Sequence, residues 1–534
     1  MVALSVDAPI VEFVLNGDQV QVPAAGTLLD TLREVLGVRS VKDGCSPQGQ
    51  CGCCTVWVDG QARVSCVTPV VRVRGRSVTT VEGLDDADRW ARSFCERGGS
   101  QCGFCTPGII MRAAALDADK RASPDAVRHA MLAHLCRCTG WHPIVESIVH
   151  VDDPVPAVRA LDDAAHRARL EGGVDQSVGA DVALGRGGFS DDTAPLDALV
   201  AVRSASGEWV VAPTLHDARD RSGKVQGRRT TAPLSWPVDV PAGEWVRTLQ
   251  TTWVEPAYLE PDASWCEPGG TPMSSHGNGG AFGGKQTGAL GEVARRLADE
   301  HGRAVRVLST REDVVLTGPK RPPLGAGVRA DGTAVVHVAR TAGIDAAIRS
   351  GASGVDKVEV DVVEVDVVEV DVVEVDVVEV DVAGPPTSSA LRGAGWAEIA
   401  VLLASLQPGP TYTVRTPGGA VAAATIADDG AIAVRVECGR VLDEAVLTSY
   451  CTGAAHMALG WVTAEGLSVD EAGVPHDLTI RSFGVLRAVD TPAITVDVVH
   501  SDAEPVNGSD AVFAAVATAA WARTGWSPRW PTAH

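Results

Sequence analysis

Residues 44–54 have the sequence GCSPQGQCGCC, and one further cysteine follows at position 66. Four of these cysteines show the spacing C-x5-C-x2-C-x11-C: Cys45, Cys51, Cys54 and Cys66. Plant-type [2Fe–2S] proteins use C-x4-C-x2-C with a distant fourth cysteine, so this pattern carries one extra loop residue. The glycines let backbone N–H groups turn toward the sulfides of a cluster. The stretch predicts a [2Fe–2S] site with Cys53 as a surplus thiol, and the alternatives are tetrahedral zinc or thiols buried in a core.

The residues before this loop predict a small β-rich domain. Two short apolar stretches, 11–15 and 19–22, flank Asn16-Gly17, which is a strong signal for a hairpin turn. A helical pattern of leucines begins after Thr27 and ends at Gly37. Strand, strand, helix and cysteine-rich loop follow one another in the order of a ferredoxin-like β-grasp fold. We assign this domain to residues 1–82.

A second group of cysteines lies in the stretch 83–150, whose pattern is helical. It forms a C-x2-C and a C-x-C motif: Cys102, Cys105, Cys136 and Cys138. Thr106 and Ser123 are the expected N-caps of two helices, because a proline follows each of them. A C-x2-C motif alone would suggest a thioredoxin-like pair, but that needs a βαβ setting. Together the motifs predict a second four-thiolate site, and two such sites in tandem predict an electron relay.

These motifs resemble the iron–sulfur module of the xanthine dehydrogenase/aldehyde oxidase family. The resemblance is carried by the cysteine loop at 44–54, by CGFCTPG at 102–108 and by CRCTG at 136–140. It covers residues 11–150 almost without interruption. It implies a β-grasp [2Fe–2S] domain, then a four-helix [2Fe–2S] domain, in a molybdenum hydroxylase-type oxidoreductase.

Residues 179–534 resemble the molybdenum subunit of the same family in separate pieces, and we expect an α+β, molybdopterin-binding-like region there. The pieces follow the order of the family: 183–192, 258–261, 279–285, 309–313, 385–395 and 503–505. The piece at 279–285, GGAFGGK, is similar to the loop that lies against the molybdenum cofactor. It also nearly fits a P-loop, but Gln286 replaces the Ser or Thr that would bind magnesium.

The resemblance implies a molybdenum–pterin cofactor, in its dinucleotide form, beside the two [2Fe–2S] clusters. The residues that it implies for cofactor binding belong to two loops: Gly279, Gly280, Phe282, Gly283, Gly284, Arg392 and Gly393. It also implies that Glu504 is the catalytic base, with a pKa raised by a dry pocket. Arg392 would orient the substrate through fork-like hydrogen bonds. The implied substrate is an aldehyde or an N-heterocycle hydroxylated with water, and the electrons would pass to an external acceptor, a protein or a flavin subunit.

Several features of the family are missing from the C-terminal region. No Gly-Gln-Gly element occurs between Thr411 and Glu437, and no flavin-binding domain follows the cysteine motifs. Ala503 stands where the family has glycine, while Leu391 and Ala394 stand where it has phenylalanine. A second hypothesis therefore stays open: an iron–sulfur electron-transfer protein whose C-terminal half is a degenerate scaffold that docks a catalytic partner.

Two segments have the character of connections. Residues 151–178 contain prolines, mixed charge and Gly172-Gly173, and we expect a linker there. Residues 356–381 repeat the unit Asp-Val-Val-Glu-Val with a period of five and hold 11 acids and one lysine. A period of five suits neither a strand nor a helix. We therefore expect an expanded linker or an edge strand, with an acidic cation-binding stretch as the alternative.

The composition narrows the setting in which the protein works. The formal net charge is −22, from 46 Lys and Arg against 68 Asp and Glu, which disfavours nucleic acid and anionic membranes as partners. No apolar run approaches the roughly 20 residues that span a bilayer, and residues 1–10 lack the pattern of a secretory signal. Clustered thiols fit a reducing compartment. We therefore expect a cytoplasmic protein. The sequence leaves its oligomeric state open, and a homodimer or a complex with other subunits is compatible with the family resemblance.

Overall fold

The computed structural model describes residues 9–154, 159–224, 232–274, 279–285, 289–353 and 374–532. Its first part is a five-stranded sheet with the strand order β2-β1-β5-β3-β4, in which β1 and β5 are parallel. The elements of this part are β1 (Ile10–Leu15), β2 (Asp18–Pro23), α1 (Leu28–Asp30), β3 (Thr55–Val58), β4 (Gln61–Val64) and β5 (Ser77–Thr79). Phe13, Leu32 and Val56 are buried in the core beneath the sheet. The predicted β-grasp fold is confirmed.

Local sequence signals explain how this domain begins. Asn16 and Gly17 adopt left-handed φ angles of 51° and 98°, as a two-residue hairpin turn requires. Thr27 caps α1, because its Oγ1 accepts the N–H of Asp30 at 3.1 Å. In return, the Asp30 carboxylate accepts the N–H of Thr27 at 3.1 Å. This reciprocal capping box fixes the start of the helix that packs on the sheet.

Residues 83–150 form a bundle of short helices around buried aromatic side chains. The helices are α2 (Ala87–Glu96), α3 (Thr106–Ala114), α4 (Ala118–Arg121), α5 (Pro124–Ala130) and α6 (His142–Val149). Trp90, Phe94 and Trp141 are buried in one cluster with the second group of cysteines. The helical domain expected for this stretch is thus present.

Of the two N-caps predicted in this bundle, Ser123 is confirmed and Thr106 is not. Ser123 caps α5, with its Oγ accepting the N–H of Ala126 at 3.3 Å. For α3 the prediction is wrong by one residue, because Thr106 is already helical and Cys105 is the N-cap. The N–H groups of the whole first helical turn lack a partner within the helix, so proline, which has no N–H, is tolerated at the second helical residue as well as at the first. Pro107 occupies that second position in α3.

The rest of the chain is an α+β region with mixed sheets. In the described residues the sheets have the strand orders β10-β9-β11-β6-β7, β14-β13-β12-β8 and β15-β16-β17-β18. The strands are β6 (Leu199–Arg203), β7 (Trp209–Ala212), β8 (Arg247–Gln250), β9 (Ala263–Cys266), β10 (Met273–Ser274), β11 (Val305–Leu308), β12 (Leu324–Val328), β13 (Ala334–Ala339), β14 (Val375–Val380), β15 (Tyr412–Arg415), β16 (Val421–Ile426), β17 (Ile432–Glu437) and β18 (Ile494–Val499). The helices are α7 (Leu161–Gly172), α8 (Ala180–Ala183), α9 (Ser190–Thr193), α10 (Leu215–Ser222), α11 (Ala289–His301), α12 (Arg311–Thr317), α13 (Ile344–Ser353), α14 (Trp396–Ala404), α15 (Glu444–Thr463) and α16 (Ser509–Arg523).

Three apolar helices, α14, α15 and α16, form the centre of the largest core. Along α16 nearly every residue from Ser509 to Trp521 is buried, because the helix is covered by α14, α15 and the β15–β18 sheet. Among the described residues, no helix is long and apolar enough to cross a membrane. The apolar character of these helices therefore reflects burial inside the protein.

The stretch 151–178, predicted as a linker, contains a docked helix. Arg167 and Glu171 of α7 are both fully buried, and α7 packs against α15. The Arg167 guanidinium donates to the carbonyls of Val441 and Val506, at 3.0 and 2.8 Å. The sequence did not indicate this helix, because a charged helix has no apolar stripe to reveal that it is buried. Here hydrogen bonds and an ion pair satisfy the buried charges.

The acidic repeat ends in an edge strand. Its last described part forms β14, which pairs in parallel with β13 at the edge of a sheet. The expectation of an edge strand is confirmed for residues 375–380, while residues 356–373 lie outside the described residues. Exposed carboxylates on β14, such as Asp376, discourage further strand pairing at that edge.

Candidate iron–sulfur and cofactor sites

The first group of four cysteines converges beneath the loop 44–54. All four thiols are buried. The Cys45 thiol contacts those of Cys51 and Cys66, and the Cys66 thiol also contacts that of Cys54. The backbone N–H of Gln48 donates to Cys45 Sγ at 3.0 Å. Hydrogen bonds from the neighbouring thiols and then from the backbone hold the pKa of Cys45 well below its usual range, so this sulfur is prepared to act as a thiolate.

The second group converges between the N-terminal ends of α3 and α6. Cys138 Sγ donates to Cys102 Sγ at 3.7 Å, and the thiols of Cys105 and Cys136 form a second pair. Hydrogen bonds from Cys105 and Cys138 lower the pKa of Cys136, with a further contact to the Thr139 hydroxyl at 3.1 Å. Because Cys105 is the N-cap of α3, the partial positive charge of that helix end favours an anionic cluster.

Each group of four buried thiols supplies the number of ligands that a [2Fe–2S] cluster needs. Within each group the thiols form a continuous series of contacts, because Cys45 contacts both Cys51 and Cys66, and Cys136 contacts both Cys105 and Cys138. Four thiolates also suit tetrahedral zinc, so the arrangement of the thiols by itself fits either centre.

The two cysteine sites are in direct contact with each other. The carbonyl of Cys51 accepts the N–H of Leu135 at 3.0 Å, and Leu135 immediately precedes Cys136. A Cβ added to Gly108 on α3 would lie only 2.5 Å from the carbonyl oxygen of Gly52. At these points the backbone of the first loop packs directly on the backbone of the second domain. The hydrogen bond from Leu135 to Cys51 therefore connects the first group of cysteines to the second.

The glycine loop 279–285 lies against the second cysteine site. A Cβ on Gly280 would be 3.2 Å from Cys138 Sγ and 2.8 Å from Arg137 Cβ. At Gly283 the φ angle is +91°, and a Cβ there would be 1.9 Å from the carbonyl oxygen of Ala390. Phe282 itself has a left-handed φ of 42°. Close approach therefore demands glycine where the loop meets the second cysteine site and the loop that contains Arg392.

Arg392 is positioned directly over the glycine loop. Its N–H donates to the carbonyl of Phe282 at 2.9 Å, and its guanidinium carbon lies 3.7 Å from the centre of the Phe282 ring. Its Nε donates to Asp510 at 2.7 Å, and its Nη2 donates to Ser509 Oγ at 2.8 Å. The buried guanidinium therefore joins the glycine loop to the start of α16.

A small cavity opens beside these two loops. Its lining includes Arg137, Gly280, Phe282, Arg321 and Arg392. Among the described residues, Nε and Nη1 of Arg321 and Nη1 of Arg392 are buried without a hydrogen-bond partner. Burial lowers the pKa of Arg321 to about 10, which still leaves it cationic near neutral pH. Orphaned guanidinium donors beside a glycine backbone fit an anionic group, such as a cofactor phosphate.

Known proteins match the two cysteine domains closely. Residues 80–149 match the family described as [2Fe-2S] binding domain. The xanthine dehydrogenase iron-sulfur-binding subunit of Escherichia coli O157:H7 is 38% identical over 146 residues, which cover 26% of this chain and 91% of that subunit. The chain belongs to the xanthine dehydrogenase/aldehyde oxidase family, the molybdenum hydroxylases.

Other members show how far this likeness extends. The aldehyde oxidoreductase of Megalodesulfovibrio gigas is 41% identical over 135 residues, which cover 24% of this chain but only 15% of that protein. The solved structure of aldehyde oxidoreductase from Desulfovibrio gigas aligns over 96% of this chain and 97% of that one, with a TM-score of 0.67 and 13% identity. Beyond the cysteine domains, the likeness to this aldehyde oxidoreductase is therefore one of fold.

Glu504, which the family resemblance implies as the base, lies at the surface. Its side chain is 90% exposed, and its closest cationic partner is Arg440, at 3.8 Å. The expected dry pocket is not present around this carboxylate, because residues 502–504 are all exposed. The following residues, Ser509 and Asp510, do hold Arg392. The structure thus brings together Arg392 and the segment after Glu504, but not the Glu504 carboxylate itself.

The sequence alone gave no sign of two buried ion pairs. Arg137, between Cys136 and Cys138, donates to both carboxylate oxygens of Glu465, at 2.5 and 2.7 Å. Lys285, at the end of the glycine loop, pairs with the buried Glu260. Arg137, Lys285 and Glu260 lay in stretches that resemble the family, at 136–140, 279–285 and 258–261, but the resemblance did not indicate that they form ion pairs. Glu465 carried no signal, since its partner lies 328 residues away.

Proposed function

We propose that this chain is a molybdenum-dependent hydroxylase of an aldehyde or an N-heterocycle. It takes the oxygen from water and passes electrons through two [2Fe–2S] clusters to an external acceptor. The observation that carries the proposal is the contact between Gly280 and Cys138. The glycine loop and its cationic cavity lie directly against the cysteines that we propose as ligands of the second cluster.

Residues of the cavity and of the glycine loop would bind the cofactor. Orphaned donors of Arg321 and Arg392 would bind the anionic part of a molybdenum–pterin cofactor, and we propose the dinucleotide form. The glycines at 279–284 permit close approach of that group to the backbone. When bound, the cofactor supplies the redox chemistry that a side chain cannot. The cavity is small and is lined by residues of both loops, so it would hold one part of the cofactor.

The cysteine sites would hold the two one-electron carriers. Cys102, Cys105, Cys136 and Cys138 lie next to the cavity, and Cys45, Cys51, Cys54 and Cys66 lie beyond them. The hydrogen bond from Leu135 to Cys51 is a short polypeptide connection between the two sets. This order supports electron transfer from the cavity outward through the second site and then the first.

Glu504 remains the proposed base, although its side chain is exposed in this structure. A substrate or cofactor must therefore cover the Glu504 carboxylate before it can act as a base in a dry site. Arg392 is largely occupied by Asp510 and Ser509. Only its unpartnered Nη1 is therefore available to orient a substrate.

A second candidate function is an iron–sulfur electron-transfer protein whose C-terminal half docks a catalytic partner. The exposure of Glu504 favours it, because the predicted base lines no enclosed pocket. The names of several relatives also describe subunits, including the iron-sulfur-binding subunit of Escherichia coli O157:H7.

Elemental analysis of the purified holo-protein, followed by substrate screening, separates the two. The hydroxylase predicts about four irons and about one molybdenum per chain, with turnover of an aldehyde or N-heterocycle that Glu504→Gln abolishes without loss of molybdenum. Asp502→Asn, an exposed neighbour, is the matched control. About four irons without molybdenum, from a host that makes the cofactor, would establish the electron-transfer protein instead.

A further inference from the structure

A cationic and apolar surface lies beside the first cysteine site. The segment 63–74 runs from the end of β4 past Cys66, and all of it is described. Its exposed residues are Arg63, Val67, Pro69, Val71, Arg72 and Arg74. Between Gly60 and Val81 the chain has four arginines and no acidic residue. In a protein of net charge −22, this is a local reversal of the overall charge.

Two valine side chains on this surface are exposed to solvent to an unusual degree. Val67 is 60% exposed and Val71 is 47% exposed. Large apolar side chains rimmed by polar residues on a folded protein mark an interaction site. Protein interfaces show the same plan, with an apolar centre and a charged rim.

The surface also covers the first cluster ligands. Val67 directly follows Cys66, and a Cβ on Gly49 would lie 2.9 Å from Val67 Cγ1. Ser65, one residue before Cys66, donates from its Oγ to the Cys54 carbonyl at 2.8 Å. A protein seated on Val67 would therefore be one layer of polypeptide away from the thiols of Cys54 and Cys66.

We propose that this surface, comprising Arg63, Val67, Pro69, Val71, Arg72 and Arg74, docks an acidic redox protein that accepts electrons from the first cluster. The proposal rests on the proposed function for the presence of that cluster. Charge complementarity identifies the partner: an acidic protein is attracted by the arginines, although the remainder of this chain repels it. In the step itself one electron leaves the reduced first cluster and enters the metal or flavin centre of the partner, and no covalent bond changes.

The test measures electron transfer from dithionite-reduced holo-protein to two probes in a stopped-flow instrument. Plastocyanin is the acidic probe and cytochrome c is the basic one. Both are strong oxidants, so the charge of the probe is the main variable. Dithionite supplies the electrons, so the result does not depend on turnover at molybdenum.

The expected result is a charge-dependent rate with plastocyanin. Arg63→Glu/Arg72→Glu is expected to lower the second-order rate constant by about tenfold or more at low salt, and the wild-type rate is expected to fall as salt is added. With cytochrome c the same variant is expected to react as fast as the wild type or faster. The matched control is Arg295→Glu/Arg296→Glu on α11, which changes the net charge equally at exposed positions.

Three results would overturn the proposal. If both double variants react with plastocyanin like the wild type while iron content and cluster spectra are intact, the docking site is wrong and the proposed function stands. If the protein carries no reducible iron, the docking site and the proposed function fail together. If ultracentrifugation shows a dimer that Arg63→Glu/Arg72→Glu dissociates without changing the electron-transfer rate, a second copy of the chain is the occupant.

Discussion

Cys138 is the residue at which three parts of the molecule meet. Its Sγ faces Cys102 within the second cysteine site and lies against Gly280 of the glycine loop. Its carbonyl accepts from Gln101 Nε2 at 3.1 Å and would be 1.8 Å from a Cβ at Gly453 of α15. Gly280 and Gly453 are far apart in sequence, and the close packing around Cys138 requires glycine at both positions.

The ligand assignment predicts selective loss of each cluster. Cys102→Ser is expected to remove the second cluster and Cys45→Ser the first, because each cluster needs all four thiolates. Iron content would fall to about half in either variant, and low-temperature EPR would show which signal is lost. Cys53→Ser is the control, because Cys53 is buried in the same loop but is not assigned as a ligand. Full iron in Cys45→Ser or Cys102→Ser would contradict the assignment.

Glu260 predicts a dependence of stability on pH. Burial raises the pKa of Glu260 from 4.5 to about 7, although Lys285 opposes the shift. Between these values the folded protein holds a proton that the unfolded chain has lost, so the free energy of unfolding falls as the pH rises from 4.5 to about 7. Glu260→Gln is expected to flatten this fall by up to about 3 kcal/mol.

Urea unfolding of Glu260→Gln and wild type at a series of pH values between 4.5 and 8 checks this expectation. Glu267→Gln, at an exposed position, is the control and is expected to follow the wild type. If the Glu260→Gln and wild-type curves run parallel across the whole range, Glu260 does not titrate there.

At the scale of elements, α7 fixes the position of α16. The Glu171 carboxylate accepts the N–H groups of Gly508 and Ser509, at 3.0 and 2.8 Å, and pairs with Arg167 at 3.0 Å. A carboxylate at a helix N-terminus satisfies free N–H groups and favours the helix dipole. Because α16 carries Ser509 and Asp510, the partners of Arg392, a helix in the supposed linker supports the candidate site from behind.

Glu171→Gln is expected to destabilise the C-terminal region by about 3–5 kcal/mol, because it leaves the buried Arg167 without its charge partner. Chemical unfolding followed by tryptophan fluorescence reports this region, where Trp461, Trp521 and Trp530 are buried. Iron content is expected to stay unchanged. Asp162→Asn, at an exposed position on α7, is the control, and equal stability of the two variants would show that α7 does not brace α16.

At the scale of the whole molecule, buried ion pairs join the β-grasp domain to the C-terminal region. Arg33 contacts Asp191 at 2.6 Å and Asp192 at 2.9 Å, and the fully buried Lys42 also pairs with Asp192. Arg306 of β11 reaches the same Asp191 at 2.9 Å. These contacts hold the first cysteine domain in a fixed position relative to the glycine loop and its cavity.

Asp192→Asn is expected to lower the free energy of unfolding by about 3–5 kcal/mol, because Lys42 and Arg33 lose a buried partner. Asp181→Asn is the control, since its pair with Arg186 is exposed and is worth about 1 kcal/mol or less. Calorimetry and limited proteolysis would compare them. If Asp192→Asn melts like Asp181→Asn, the ion pairs do not join the two regions.

The sequence by itself determined the family of the two cysteine domains and the class of fold. Cys45, Cys102 and their partners stand at spacings that few other sites share, and Asn16-Gly17 and Thr27 act through neighbours within three residues, so local patterns were sufficient. Only the tertiary structure decided that Glu465 pairs with Arg137, that α7 is buried and that Glu504 is exposed. These properties depend on residues hundreds of positions apart and on which surfaces pack together, and neither a spacing nor a period encodes that information.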